Sequence, residues 1–148
     1  MKQAAEKAGR DPNSVRVWSC FATLGDHLSY DLQMKKSVGR LATYLQGYGD
    51  LLVKTNNWDP AVLERFRAHE LVAKFPGAID ALATTEQLEQ VAELLPEEWL
   101  ANSATGSPQQ CVAAIKHQLD LGCDAVITHG ATPTQLKPII DEYRKSAA

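Results

Sequence analysis

One sequence pattern occurs twice in the C-terminal region, and this repeat constrains the fold more than any other feature. An apolar run reaches a glycine, and a [Ser/Thr]-Pro-x-Gln segment then opens an amphipathic stretch. The first cap is Ser107 and the second is Thr132, 25 positions later. Ser or Thr before Pro, with Gln three residues on, is typical of a helix N-terminus closed by a capping box. The pattern predicts two βα units over residues 98–148.

Consecutive βα units place their strands in parallel. We expect strands at 100–105 and 124–129, running side by side, with Gly106 and Gly130 in the loops that follow. These loops open at the carboxyl ends of the strands, where both barrels and open α/β sheets bind ligands. The helix after Ser107 would favour a phosphate at its N-terminus. The alternative is that Ser107 only caps that helix.

The upstream sequence adds one strand and a long helical region. Residues 15–24 are β-branched and aromatic and read as a strand buried on both sides, whereas 2–8 read as a helix end stopped by Gly9. Residues 30–96 are mostly helical, which is too much for one simple crossover. We interpret them as a crossover helix plus an insertion in a single partial domain, 1–148. Gly47 and Gly49 are expected to interrupt the first of these helices.

Composition excludes several function classes. The 148 residues are 45% hydrophobic with a formal net charge of -3 and scattered basic side chains, so no nucleic-acid footprint is present. No apolar run approaches the roughly 20 residues needed to cross a bilayer, and a cytoplasmic protein is expected. Cys20, Cys111 and Cys123 are expected to be buried thiols rather than a disulfide framework. Neither cysteine nor histidine spacing predicts a metal site.

Polar residues at the ends of the first and last predicted strands are the remaining candidates for a site in the sheet. His129 could contact a cofactor or substrate or act as an acid or base, or it could be a structural histidine. Thr23, Asp26 and His27 follow the first strand and are candidates for a pocket, although Asp26 could cap the next helix.

Two tyrosines are the candidates in the helical region. Tyr44 and Tyr48 are four residues apart and would share a helix face, where they could cover a flat ring system. Ordinary packing is the alternative.

Four segments together resemble a known superfamily. They are Thr105–Gln110, Leu121–Pro133, Val38–Asp50 and Asn57–Pro60. In order and spacing they resemble the luciferase-like monooxygenases, with the first two segments matching the final two βα units. Within that superfamily they are similar to the branch that uses the deazaflavin coenzyme F(420).

The resemblance implies the C-terminal portion of a (β/α)8 barrel with a helical insertion, in which the three strands found are the sixth to the eighth. It implies hydride transfer between a reduced deazaflavin and an organic substrate, or flavin-dependent monooxygenation with FMN as the alternative cofactor. The cofactor would contact Thr105, Gly106, Ser107, His129 and Gly130. The substrate pocket or lid would include Thr23, Asp26, His27, Tyr44 and Tyr48. The resemblance names no catalytic residue in this chain.

Such a chain is expected to lack five barrel strands and to leave sheet edges open. A missing N-terminal half or self-association into a homo-oligomer would then complete the fold. Two alternatives to the enzyme stay open: a non-catalytic α/β module that binds a phosphate-bearing ligand or a partner chain, and an inactive remnant that folds only as an oligomer.

Overall fold

The computed structural model describes residues 1–101 and 103–146. The chain is a mixed α/β protein that divides into two compact units. The first, called here the sheet unit, combines Met1–Asp26 with Ser103–Ala148. The second, called the helical unit, is His27–Asn102, and it contains the region that the sequence assigned to the crossover and insertion.

In chain order the regular elements are α1 (Lys2–Lys7), a 3-10 turn (Pro12–Ser14), β1 (Trp18–Gly25), α2 (Tyr30–Met34), a π-helical segment (Lys35–Gly39), α3 (Arg40–Asn56), α4 (Pro60–Ala68), α5 (Glu70–Ala73), α6 (Ile79–Leu82), α7 (Thr85–Ala92), α8 (Glu97–Leu100), β2 (Ala104–Gly106), α9 (Pro108–Asp120), β3 (Ala125–His129) and α10 (Pro133–Lys145). None of the helices in the described residues is long and apolar enough to cross a membrane.

Capping boxes begin α7, α9 and α10, and those of α9 and α10 are the two predicted from the repeated sequence pattern. The hydroxyls of Thr84, Ser107 and Thr132 each accept a backbone N–H three residues on, and the matching glutamine returns the bond. Gly9 adopts a φ of 71°, which supports its role as a left-handed helix stop. The strand expected from residue 100 begins at Ala104 instead, because the preceding residues form α8. Asn102, part of that prediction, lies outside the described residues.

The sheet has the order β2-β1-β3, with both outer strands parallel to β1. Parallel strands are therefore confirmed, but the expectation that β2 and β3 run side by side is wrong. The physical reason is the number of residues that each strand offers for pairing. β1 has eight residues and β2 has three, so only β1 can pair with all five residues of β3. In the resulting register β3 pairs with Trp18–Ala22 and β2 with Thr23–Gly25.

One face of the sheet carries the core of the sheet unit. Phe21 and Val126 pack there against a cluster of buried residues from β2, α9 and α10: Ala104, Cys111, Val112, Ile115, Leu136 and Ile139. On the opposite face Trp18 is 62% exposed and Ile127 is 46% exposed, and Cys20 is exposed as well. The prediction of a β1 strand buried on both sides is thus wrong for its first half, because α9 and α10 pack on the same face. The prediction of a buried thiol is likewise wrong for Cys20.

The helical unit has its own core, centred on Leu45, Phe66, Ile79 and Leu88, each exposed by no more than 1%. The expected interruption of its first helix at Gly47 and Gly49 is confirmed as a kink: Tyr48, which lies between them, has a non-helical φ of -132° and ψ of 18°, and α3 continues beyond it to Asn56. Gly49 also allows close packing between helices. A Cβ added at Gly49 would lie 2.7 Å from a Leu63 methyl, so the absence of a side chain lets α3 approach α4 closely.

Candidate functional site

The carboxyl edge of the sheet is the candidate site, because the three parallel strands all end there. Gly25 pairs with Gly106, and the Asp26 N–H donates to the Gly106 carbonyl at 2.8 Å. His129 pairs with Ala22, so β3 ends nearer to the start of β1 than β2 does. Two strand spacings and a two-residue offset place the Gly106 and Gly130 corners about 12 Å apart. The predicted common rim therefore exists within the sheet unit, with β1 between its two corners.

The Gly106 corner is fitted closely to the helix that follows it. Gly106 has a φ of 94°, and a Cβ there would lie 2.3 Å from Gln110 Oε1. That oxygen accepts the Ser107 N–H at 2.8 Å, while Ser107 Oγ accepts the Gln110 N–H at 3.3 Å. Glycine is needed here for both the backbone conformation and the space. Gln110 is a contributor that the sequence identified only as part of a cap.

The helix N-termini at this edge offer limited capacity for an anion. Proline at the first helical position carries no N–H, and each capping box uses two further N–H groups. In the first turn of α9 this leaves the Gln109 N–H, and in α10 the equivalent group is on Thr134. The Ser107 hydroxyl caps its helix, as in the alternative reading. A phosphate would have to bind mainly to these second-position N–H groups.

Thr105 and His129 lie on the same face of the sheet. Thr105 pairs with Leu24 and His129 pairs with Ala22, and side chains two residues apart on a strand share a face. Thr105 is exposed and His129 is half-buried, with a bonding partner of its own. Together they flank the end of β1 on the face opposite α9 and α10.

The candidates at the end of β1 and just after it do not lie beside Thr105 and His129. Thr23 is fully buried, and its hydroxyl donates to the Phe21 carbonyl at 3.1 Å, so it belongs to the helix-covered face. Asp26 is exposed and does not cap the next helix, whose N-cap is Ser29. Gly25, at the end of β1, is buried and pairs with Gly106.

Cys111 is a buried thiol below the Gly106 corner. Its Sγ lies 3.5 Å from the Ala104 carbonyl oxygen. Burial, and secondarily the charge of Asp26, raise the pKa of the Cys111 thiol to about 11. The residue is therefore protonated at neutral pH and serves packing rather than nucleophilic chemistry.

The other three candidates belong to the helical unit. His27 is exposed, and Tyr44 and Tyr48 are 40% and 63% exposed. Tyr48 has a φ of -132°, outside the helical range, so the two rings are not presented by a regular helical turn. Their exposure excludes ordinary core packing as the reason for this pair.

Across residues 1–101 and 103–146, no group of three or more His, Cys, Asp or Glu side chains is arranged to hold a metal ion. All three cysteines are free thiols.

A scan against models of known protein families gives no match to this chain, and a search of curated protein sequences gives none either.

Proposed function

We propose that this chain is a luciferase-like oxidoreductase, or the C-terminal part of one, that binds a reduced deazaflavin or flavin at the carboxyl edge of its sheet. The observation that carries the proposal is the common rim formed by the Gly106 and Gly130 corners on either side of β1. Carboxyl ends of parallel strands are the ligand-binding face in both barrels and open α/β sheets. The order and spacing of the resembling segments select the redox cofactor.

In this proposal the cofactor supplies hydride transfer to or from an organic substrate, or flavin-dependent monooxygenation. The chain's own residues bind and orient it. Thr105 and His129 contact the ring from the face that they share, and the N–H of either Gln109 or Thr134 donates to an oxygen of the phosphate. One such donor suits the single phosphate of the proposed coenzyme, with its ring lying towards the other corner.

The barrel part of the proposal carries a specific structural requirement. Consecutive strands of a (β/α)8 barrel are neighbours, whereas here β1 separates β2 from β3. The order 2-1-3 also begins the flavodoxin-like doubly wound sheet. The strand order found here therefore fits a doubly wound sheet more directly than a barrel. The binding edge is the same in either arrangement.

A fluorescence titration with coenzyme F(420) and with FMN tests the proposed function. We expect saturable quenching well below millimolar cofactor, and about tenfold weaker binding in His129→Ala because that side chain contacts the ring. His117→Ala, an exposed histidine on α9, is the matched control and should bind like the wild type. Absence of binding up to millimolar cofactor would contradict the proposal for this chain.

A non-catalytic module that binds phosphate-bearing ligands is the second candidate, and the two helix N-termini at one edge, each with one N–H left outside its capping box, favour it. Riboflavin separates the two because it has the flavin ring without the phosphate. A thermal shift with FMN and inorganic phosphate but not with riboflavin supports the module. A shift with riboflavin as well supports ring recognition.

A further inference from the structure

A cavity of about 570 Å³ lies beside β3, away from the carboxyl edge just described. Its walls come from β3, α9 and α10 and are mostly apolar: Ile115, Leu119, Val126, Leu136, Ile139 and Ile140. Ile140 is 38% exposed, so part of this wall is open to solvent. The volume lies within the range of small-molecule sites, which are predominantly apolar with a few polar groups.

The polar groups gather at one end of the cavity. Asp124, which immediately precedes β3, and Arg144, near the end of α10, both line it. The Asp124 carboxylate is already bound, since it accepts the Val17 N–H at 2.7 Å and the Lys2 ammonium at 3.3 Å. Arg16 lies 3.9 Å from the same carboxylate. Two cations, Lys2 and Arg16, therefore offset the charge of this carboxylate, and Arg144 is the cationic side chain among the described residues of the cavity wall.

The two nearest acidic residues on α10 do not reverse that charge. Asp141 pairs with Lys137, and Glu142 lies 3.9 Å from Lys145. Arg144 itself is exposed and is part of the cavity wall. An apolar groove with a cationic end complements a ligand with an apolar body and an anionic head.

We infer that this cavity binds a medium-chain aliphatic carboxylate, with the chain along β3 and the carboxylate at Arg144. The wall supplied by residues 124–128 extends about 13 Å at about 3.3 Å per residue, which an extended chain of roughly ten carbons matches. The site is separate from the proposed cofactor edge and does not depend on it.

The test is an NMR titration of the ¹⁵N-labelled chain with sodium decanoate, below the concentration at which it forms micelles. We expect saturable amide shifts confined to β3 and to the wall of α10. Octanoate should bind about fifteenfold more weakly, because each buried methylene changes affinity about fourfold. Decylamine, with the opposite charge, should bind least, and decanol should fall between the two.

Two variants locate the head and the chain. Arg144→Gln should weaken decanoate about threefold to fivefold at low salt and leave decanol unchanged, as expected for an exposed ion pair. Lys54→Gln removes the same charge from an exposed position on α3, in the helical unit, and is the matched control. Ile140→Ser, at a partly exposed wall position, should weaken all alkyl ligands alike.

Three results would overturn the inference. The first is no saturable shift at these amides. The second is equal binding of decanoate and decylamine, which would remove the role of the cationic end. The third is a dimer of the free chain whose interface protects β3 and α10, because a second copy would then occupy the groove.

Discussion

At the scale of single residues, two glycines with the same backbone conformation have different surroundings. Gly106 and Gly130 both have φ near 93°, which side chains rarely adopt. A Cβ at Gly106 would meet Gln110 Oε1, whereas at Gly130 nothing lies within 4 Å. The first position is constrained by conformation and space, the second by conformation alone.

Alanine at these two positions should separate the cost of the backbone conformation from the cost of the steric clash. We expect Gly130→Ala to lower the free energy of unfolding by about 1–2 kcal/mol, and Gly106→Ala by about 1 kcal/mol more. Urea denaturation of both variants measures the difference. Removing the clash with Gln110→Ala in the Gly106→Ala background should recover part of the extra loss. Equal losses for the two single variants would show that the corner is not packed as described.

Asp124 is the residue whose charge holds the start of β3. The Val17 N–H first, and then the Lys2 ammonium, hold the pKa of the Asp124 carboxyl below its ordinary value of 3.8. A pKa lowered by folding means that the ionised form stabilises the native state. That contribution is fully present above about pH 4 and is lost as the pH falls through the lowered pKa.

Asp124→Asn keeps an acceptor for Val17 and removes the charge. We expect its melting temperature to lie below that of the wild type at pH 7, with the gap closing near pH 2. Thermal melts followed by circular dichroism at both pH values measure this. Glu6→Gln, at an exposed position on α1, is the control. A gap that is independent of pH would contradict the assignment.

At the scale of elements, the packing of α3 on α4 offers a matched pair of glycines. Gly47 has open space at its Cβ position, whereas Gly49 faces Leu63 at 2.7 Å. In a helix, alanine is favoured over glycine by about 1 kcal/mol when nothing obstructs it.

We therefore expect Gly47→Ala to stabilise the chain by up to about 1 kcal/mol and Gly49→Ala to destabilise it by about 1–3 kcal/mol. Chemical denaturation followed by circular dichroism at 222 nm compares the two. Stabilisation by both variants would show that the two helices are further apart than described.

Elements that depend on neighbouring residues could be predicted from the sequence. The caps at Ser107 and Thr132 involve contacts only three residues long, and both form. The choice of a neighbour for β3 could not be predicted, because it depends on the relative lengths of strands about 80 residues apart. The exposure of Cys20 could not be predicted either, since it follows from which face α9 and α10 cover.

The candidate site likewise has features that the local sequence predicts and features that depend on distant parts of the chain. Gly106 and Gly130 carry strong local signals and lie at the predicted edge with positive φ. Thr23 is a candidate by its position near the end of a predicted strand, but the direction of its side chain depends on register, and it faces the core.

At the scale of the whole molecule, the account depends on β1 lying between β2 and β3. This order puts both glycine corners on one rim and places Cys20 directly opposite Ile127. Neighbouring strands lie about 4.8 Å apart, which is within the Cα range for a disulfide, whereas strands two positions apart are about 10 Å apart and outside it.

The most direct measurement is disulfide formation in an Ile127→Cys, Cys123→Ser variant under mild oxidation. Both Cys20 and position 127 are exposed, and Cys20→Ser in the same background is the control. We expect peptide mapping by mass spectrometry to find an intramolecular bond between residues 20 and 127 in nearly all of the protein. Free thiols at both position 20 and position 127 after oxidation of the folded chain would show that β3 is not the neighbour of β1, and would contradict the account.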